Sequence, residues 1–479
     1  MIYKVVVASF LLAVLCACNQ EPSSTQKPNV LFIMMDDLGY GHLGINNDTL
    51  ETDDFDPFYR HLEDSLQGYS MDKALEFTKR AIPTITELSQ NGIRFTRAHT
   101  TCNVCAPSRQ GIATGNMQMK YGVYTNGGLN LVPGTHLAEN FKERGYSTAH
   151  IGKWHMGVNN QELMDNALHK YGLTKRMGYR QLNAEYPEMY QEIIESGYYG
   201  SVIDEQHPLN NGFDYYYGYN YWGSQFYNSY NVWENFKHAG RQEGYNTDVF
   251  TEVAMGYMEE QIDAGKPFYV DLHYHAVHDS LEPRAPDQYF NKFDSDNYHL
   301  NNFYAHINGV DCNIQRIVDF LKSKGAYGNT LLMFTSDNGA MSMGAYNGFK
   351  TGSPLPANAP FSGHKGTYYQ GGIRVPMFIH WPDGIEKTGV SHKIVSTMDI
   401  LPTAIDVTGG TIPEGIDGRS HATNQGFLVQ ITNKTHGTAG AYGPAAWVVI
   451  QGDFILRFEG TIVPENTTSI GKDGELFWN

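Results

Sequence analysis

A chain of 479 residues, 41% hydrophobic and 18% charged with 50 glycines, can bury at least one sizeable core, and its length fits one large domain with a smaller one appended. Its formal net charge of -17 argues against nucleic acid or an anionic membrane surface as a partner, because the global field repels polyanions; a local cationic pocket is still compatible with it. The 32 tyrosines are an unusual aromatic load, of the kind that packs cores and lines carbohydrate-binding surfaces.

Residues 1–18 read as a targeting segment: Lys4, the apolar run from Val5 to Leu15, and the small-residue end Leu15-Cys16-Ala17-Cys18. The run is too short to span a bilayer permanently, and no other stretch reads as transmembrane. Cys18 stands where a bacterial lipoprotein signal places its acylated cysteine, and residues 19–28 form the polar tether expected after it. The expectation is an exported lipoprotein at the periplasm or cell surface, touching the membrane only through this anchor; an ordinarily cleaved signal peptide is the alternative. The body then keeps Cys102, Cys105 and Cys312, which is no disulfide framework. Cys102 and Cys105 form a C-x-x-C, readable as a redox pair or half a zinc site, but no second C-x-x-C or histidine pair accompanies it.

Asn29 to Met35 is a continuous apolar run, which predicts a buried parallel strand delivering Asp36 and Asp37 at its carboxyl end. That edge is where open α/β sheets keep their sites. Asn46 to Arg80 reads as an irregular polar insertion, and Pro83 to Asn91 as a helix ending at Gly92. Further strands are predicted over Ser147–Ile151, Pro267–Tyr274, Thr330–Thr335 and Val375–His380, with an amphipathic helix over Asn302–Lys324. Gly157 to Gly244, rich in Tyr, Asn and Gly, reads as long loops that shape a binding site. Ser396 to Val407 predicts a helix, and short strands follow at Ala445–Gln451 and Phe454–Phe458. The fold class is α/β, with a large, mostly parallel central sheet flanked by helices over 29–408 and a small C-terminal α+β subdomain over 409–479.

Asp36 and Asp37 at one strand end and Asp337 with Asn338 at another offer hard oxygen donors, which select calcium or magnesium over zinc. Either pair alone is an ordinary turn sequence; after two apolar strands, the two together point to a bound cation. Taken by itself, Cys105 reads as a free thiol or a structural partner of Cys102, His155 as either a loop histidine or a catalyst, and Lys365 as a solvated surface lysine.

Cys105-Ala-Pro-Ser-Arg-Gln-Gly-Ile-Ala-Thr-Gly115 closely resembles the signature of the type I, formylglycine-dependent sulfatases, of the alkaline-phosphatase-like superfamily. The resemblance covers nearly the whole mature chain, with further motifs in the family's order. Asn29–Gly44 is similar to the family's opening strand and metal turn, Gly152-Lys-Trp-His-Met-Gly157 to its G-K-W-H-x-G, Pro267–Arg284 to the strand ending in its catalytic histidine, and Lys365 to the lysine before its G-G-I-R-V-P strand.

The resemblance implies sulfate ester hydrolysis on sulfated carbohydrate, with Cys105 converted by a formylglycine-generating maturation enzyme to 3-oxoalanine, whose hydrate is the nucleophile. It implies one divalent cation, calcium with magnesium as the alternative, held by Asp36, Asp37, Cys105, Asp337 and Asn338. The implied catalytic residues are Cys105, Arg109, Lys153, His155, His278 and Lys365, with His278 the acid for the leaving alcohol and His155 the group that releases sulfate. His273 and His275 compete with His278 for its role. Three departures stand out: His42 where the family's Gly-Tyr-Gly turn is often followed by an acid, Val277 and Ser280 in place of prolines around the histidine, and a chain that stops at Gly474–Asn479 near where relatives continue into a last helix, so that the small domain is abbreviated or the sequence truncated. A phosphoester or phosphonate monoester hydrolase of the same fold, and a non-catalytic sulfated-glycan-binding protein, are the alternative functions.

Overall fold

The computed structural model describes residues 27–421, except 56, 58–67, 69, 124–125, 127–134, 174–178, 197–200, 222–224 and 342–352, and beyond residue 421 it describes four strands. The expected targeting segment and nearly all of the tether lie outside the described residues. Among the described residues no helix is long and apolar enough to cross a membrane.

Strand β1 is Asn29–Met35, buried throughout. Leu31, Ile33 and Met35 join one hydrophobic cluster and Val30, Phe32 and Met34 another, as the period of two in a pleated strand requires. A strand apolar on both faces belongs in the middle of a covered sheet. The other strands of that sheet are β2 (Ile93–His99), β3 (Ser147–Lys153), β4 (Tyr215–Tyr219), β5 (Trp233–Glu234), β6 (Lys237–His238), β7 (Phe268–His273), β8 (Thr330–Ser336), β9 (Met377–His380) and β10 (Gly389–Ser396). Their order is β10-β2-β9-β8-β1-β7-β3-β4-β5-β6. The centre, β8-β1-β7-β3-β4, is parallel. Toward the edges the sheet is mixed, with β9 antiparallel to both β8 and β2, and β5 and β6 antiparallel beyond β4.

Helices Met71–Arg80, Pro83–Gln90, Asn246–Asp263 and Tyr298–Ser323 bury apolar residues in the first cluster. Helices Cys105–Thr114, Ala138–Glu143 and Ile400–Val407 do so in the second. The register aligns Met35 with Ser336, Met34 with His273, and Gly152 with His273. The residues just beyond β1, β3, β7 and β8 therefore share one sheet edge.

Two expectations about connections need correction. The insertion expected to be irregular ends in helix Met71–Arg80, which buries Met71, Ala74 and Phe77. The segment 157–244, read as loops, contains helices Gln161–Lys170, Tyr179–Glu185 and Pro187–Glu195 besides β4 to β6. These helices are short, of 7 to 10 residues, and among the described residues pack on one another through Leu168, Leu182, Met189 and Ile193; two or so turns between polar, Gly-rich stretches are too short a window for a periodic pattern to stand out.

In 409–479 the regular elements among the described residues are β11 (Lys434–Ala439), β12 (Ala445–Gln451), β13 (Phe454–Glu459) and β14 (Glu475–Trp478), joined antiparallel in that order. Val448 and Ile450 pack on Ile373 and Ile394 of the main body. No helix stands among the described residues of this segment.

Candidate active site

Helix Cys105–Thr114 begins at Cys105 and is buried along its whole length. Pro107 sits in its first turn, where a missing N–H costs nothing, and Gly115 at φ 64° supplies the left-handed residue that ends it. Ser108 and Arg109 both turn to the end of β8. Ser108 Oγ donates to the Asp337 carbonyl at 2.5 Å, and Arg109 Nε and Nη2 each lie 2.9 Å from Asp337 Oδ2. The Pro-Ser-Arg run thus starts the helix and ties it to a neighbouring strand end. Cys105 Sγ faces the end of β1, 3.7 Å from Asp36 Oδ1 and 3.8 Å from Asp37 Oδ1.

Around Cys105 three carboxylates interleave with three cations. Lys153, the last residue of β3, pairs with Asp36. Lys365 Nζ lies 2.7 and 2.8 Å from the two Asp37 oxygens, and Arg109 Nη2 is 3.5 Å from Asp36 Oδ1 besides its contacts to Asp337. All six side chains are nearly or fully buried. Burial pushes the Asp36 and Asp37 carboxyls up, but Lys153 for the first and Lys365 for the second, with His278 helping both, outweigh it and hold them below the usual range. Asp337 goes the other way: burial and the neighbouring Asp36 outweigh Arg109 and push it up to about 7. Cys102, Cys105 and Cys312 are free thiols; burial pushes Cys102 up to about 11 and Cys105 further.

Of the three competing histidines, His278 has Nε2 3.7 Å from Asp37 Oδ2 and a side chain 25% exposed, so it borders both the carboxylates and solvent. Burial, reinforced by Lys365 and Lys153 and opposed by Asp37, pushes it down to about 3. His275 is buried with Nδ1 3.4 Å from Asp36 Oδ2 and stacks on His278 at 5.3 Å. His273 points instead to Arg109, 3.4 Å from its Nη1. His155, at φ 53°, has a buried Nδ1 with no hydrogen-bond partner, and burial with Lys153 and Arg109 holds it well below the ordinary histidine value. His42 accepts from the Gly39 N–H at 3.1 Å and donates to the Pro354 carbonyl at 3.0 Å, so it braces the turn after Asp37 and stays outside the carboxylate ring.

A divalent cation suits this donor set. The ligand atoms of Asp36, Asp37, Cys105 and His278 all lie within 4.8 Å of one another, and the buried Asn338 Oδ1 beside them has no partner. The raised Asp337 carboxyl shows what burial and the neighbouring Asp36 cost its charged form, a cost that a cation beside it offsets. The site residues expected from sequence thus come together at one sheet edge. Sequence reasoning weighed His275 only as an alternative to His278 and passed over the buried Asp271 and His150 beyond His273.

A family model described as Sulfatase matches residues 28–410. The chain is 33% identical over 403 residues to the protein named Uncharacterized sulfatase YdeN of Escherichia coli (strain K12), an alignment covering 83% of this chain and 65% of that one, so that this chain spans a little under two thirds of that relative's length. To a protein of Formosa agariphila named Sulfatase it is 28% identical over 471 residues, covering 88% of this chain and 76% of that one. Its fold is similar to that of Ps i-CgsB, solved in complex with k-i-k-neocarrahexaose, with a TM-score of 0.65 and 21% identity over 94% of this chain and 86% of that one. At that identity the likeness is one of fold, and it is the family match, over well more than half of the chain, that decides membership: the chain belongs to the sulfatase family.

Proposed function

We propose that the protein is a sulfuric ester hydrolase that removes sulfate from sulfated carbohydrate, with Cys105 converted to 3-oxoalanine as the source of its nucleophile. The observation that carries the reading is the position of Cys105, at the head of a buried helix with Sγ between Asp36 and Asp37 inside a ring of Lys153, Lys365 and Arg109. A buried thiol with a raised pKa is a poor nucleophile as it stands, which favours a modified residue; Sγ stands where an oxygen of the aldehyde hydrate would be. Membership of a metal-dependent family and the donor set support a divalent cation held by Asp36, Asp37, Asp337, Asn338 and the modified Cys105. Calcium is the ion the hard oxygen donors favour, with magnesium the alternative. When bound, it supplies Lewis-acid stabilisation of negative charge on sulfate and nucleophile.

The chain's own residues do the rest. Lys153 and Lys365 hold the anionic oxygens of the ester, and Arg109 holds the carboxylates in place. His278, at the solvent side, gives its proton to the oxygen of the departing alcohol. In the substrate-free protein the low His278 pKa keeps the ring neutral, and the proton it passes on is drawn from the solvent that its side chain borders. His155 accepts a proton from the nucleophile's second oxygen when sulfate leaves. Export through a lipoprotein-type segment at 1–18 anchored at Cys18, action of a formylglycine-generating enzyme, and a division into 29–408 and 409–479 complete the proposal. The saccharide bound in the similar structure of Ps i-CgsB supports a carbohydrate substrate.

The test is peptide mass spectrometry across Cys105 on protein matured with a formylglycine-generating enzyme, paired with sulfate release from an aryl sulfate and from a panel of sulfated glycans. Thiol-to-aldehyde conversion with activity that Cys105→Ala abolishes supports the reading. A converted protein that cleaves an aryl phosphonate monoester and no sulfate ester, or an unconverted and inactive one, overturns it.

A further inference from the structure

Arg109 connects the carboxylate ring to a second buried polar cluster. Asp271 on β7 lies beside His150 on β3, its register partner, with Oδ2 3.4 Å from His150 Nδ1. Asp271 Oδ1 lies 3.2 Å from His273 Nε2, off the ideal hydrogen-bond angle, so electrostatic attraction carries that contact. The two imidazoles meet edge to face at 4.6 Å. Around them stand Phe32, Trp154, Phe213 and Tyr216. A carboxylate 4% exposed in such surroundings is costly unless its oxygens are paired, and among the described residues no lysine or arginine pairs with Asp271 directly.

The Arg109 contact fixes the protons. A guanidinium donates and never accepts, so His273 Nδ1, 3.4 Å from Arg109 Nη1, is an acceptor. Burial, opposed by Asp271, pushes His273 down to about 4, so the ring is neutral at physiological pH. Its one N–H therefore sits on Nε2, facing Asp271. Arg109 Nη1 also donates to the Lys153 carbonyl at 2.8 Å. Both protons of Nη1 are thus engaged on the His273 side while Nε and Nη2 face Asp337 and Asp36. A metal ion in this cluster would need the Nε2 lone pair of His273, the atom that the Arg109 contact requires to carry a proton.

We propose that Asp271 and His273 are positioning residues for Arg109: the carboxylate sets the His273 tautomer, and Nδ1 of that ring sets the guanidinium plane that holds Asp36 and Asp337. This rests on the sulfatase reading above. A pair of this kind acts on the chemical step by keeping charges aimed, leaving substrate binding largely alone.

The experiment compares matured wild type with His273→Leu, His273→Asn and Asp271→Asn, each checked by mass spectrometry for Cys105 conversion and by thermal denaturation for folding. The expectation is that His273→Leu lowers kcat about 10- to 100-fold with KM nearly unchanged, the size of loss expected when a group that orients another is removed. His273→Asn, whose Oδ1 stands near the place of Nδ1, recovers most of the loss, and Asp271→Asn falls between. In ¹⁵N-histidine NMR, the resonance that disappears in His273→Asn should report Nε2–H with a bare Nδ1. Equal losses in the leucine and asparagine variants, an unchanged kcat in all of them, or an Nδ1–H tautomer would overturn the proposal. A fully converted wild type that releases no sulfate overturns the functional reading itself, whereas an active wild type with unaffected variants overturns only the positioning.

Discussion

Lys365→Met keeps an unbranched side chain one atom shorter and removes its charge from the middle of the site. Lys365 and Asp37 are both nearly inaccessible to solvent, and Nζ lies 2.7 and 2.8 Å from the two carboxylate oxygens. At an effective dielectric of about 20, unit charges about 2.7 Å apart attract by roughly 6 kcal/mol. The lysine's own desolvation offsets part of this, and in the variant Asp37 retains the Asn338 amide donor at 2.7 Å. Breaking one partner of a buried pair then costs about 3–5 kcal/mol. Urea unfolding in a chelator should show that loss as a lower midpoint at unchanged slope. Calcium should recover more stability in the variant than in wild type, because its charge takes the place of the missing ammonium; at about 100 times Kd the gain is roughly 2.7 kcal/mol. An unchanged midpoint in chelator would refute the view that Lys365 offsets the burial of Asp37. A calcium response no larger in the variant would refute the placement of a cation beside Asp37.

Three further outcomes are expected. His278→Gln should lower kcat about 10²- to 10⁴-fold on sulfate esters of simple alcohols and far less on nitrophenyl sulfate, whose leaving group needs no proton; equal losses on both would remove the acid role. Gly152→Ala, at φ 106° with an added Cβ 1.9 Å from the His273 carbonyl oxygen, should separate β3 from β7 and destabilise by more than the about 1 kcal/mol that the same replacement gains where the backbone accepts alanine, read as a lower Tm. Asp311, which accepts from the Thr84 and Ile85 N–H groups, is pushed by burial up to about 6. With an unfolded value of about 3.9, the folded protein binds the extra proton between these pKa values, so stability falls as pH rises from about 4 to about 6. Asp311→Asn should therefore raise stability above pH 6 by up to about 3 kcal/mol and change little near pH 4; a pH-independent difference in Tm would refute this assignment.

Much of this protein is written in local residue patterns, and the rest depends on distance. The apolar run at 29–35 determined by itself a strand buried on both faces, and the acids that follow it had to emerge at a sheet edge, because seven consecutive buried positions leave no exposed face. Cys105 to Gly115 likewise carries its own helix start, its proline in the first turn and its glycine stop. The short helices between 161 and 195 were not legible, since each runs for only two or three turns and, among the described residues, they pack against one another.

Only the tertiary structure separates the surroundings of His273, His275 and His278, which stand on one short stretch of chain. Their separation into a solvent-bordering residue beside Asp37, a buried one against Asp36 and a third turned to Arg109 follows from how β7 passes between β1 and β3. The pairing of Asp271 with His150 is of the same kind. In sequence Asp271 is a polar residue in a mainly apolar strand and His150 is one of several polar residues in β3; in space they are register partners on adjacent strands, 121 positions apart along the chain. Sequence determines what a segment can become through its neighbours, whereas the partners of a buried charge are set by strand order and register, which couple residues that no local pattern relates.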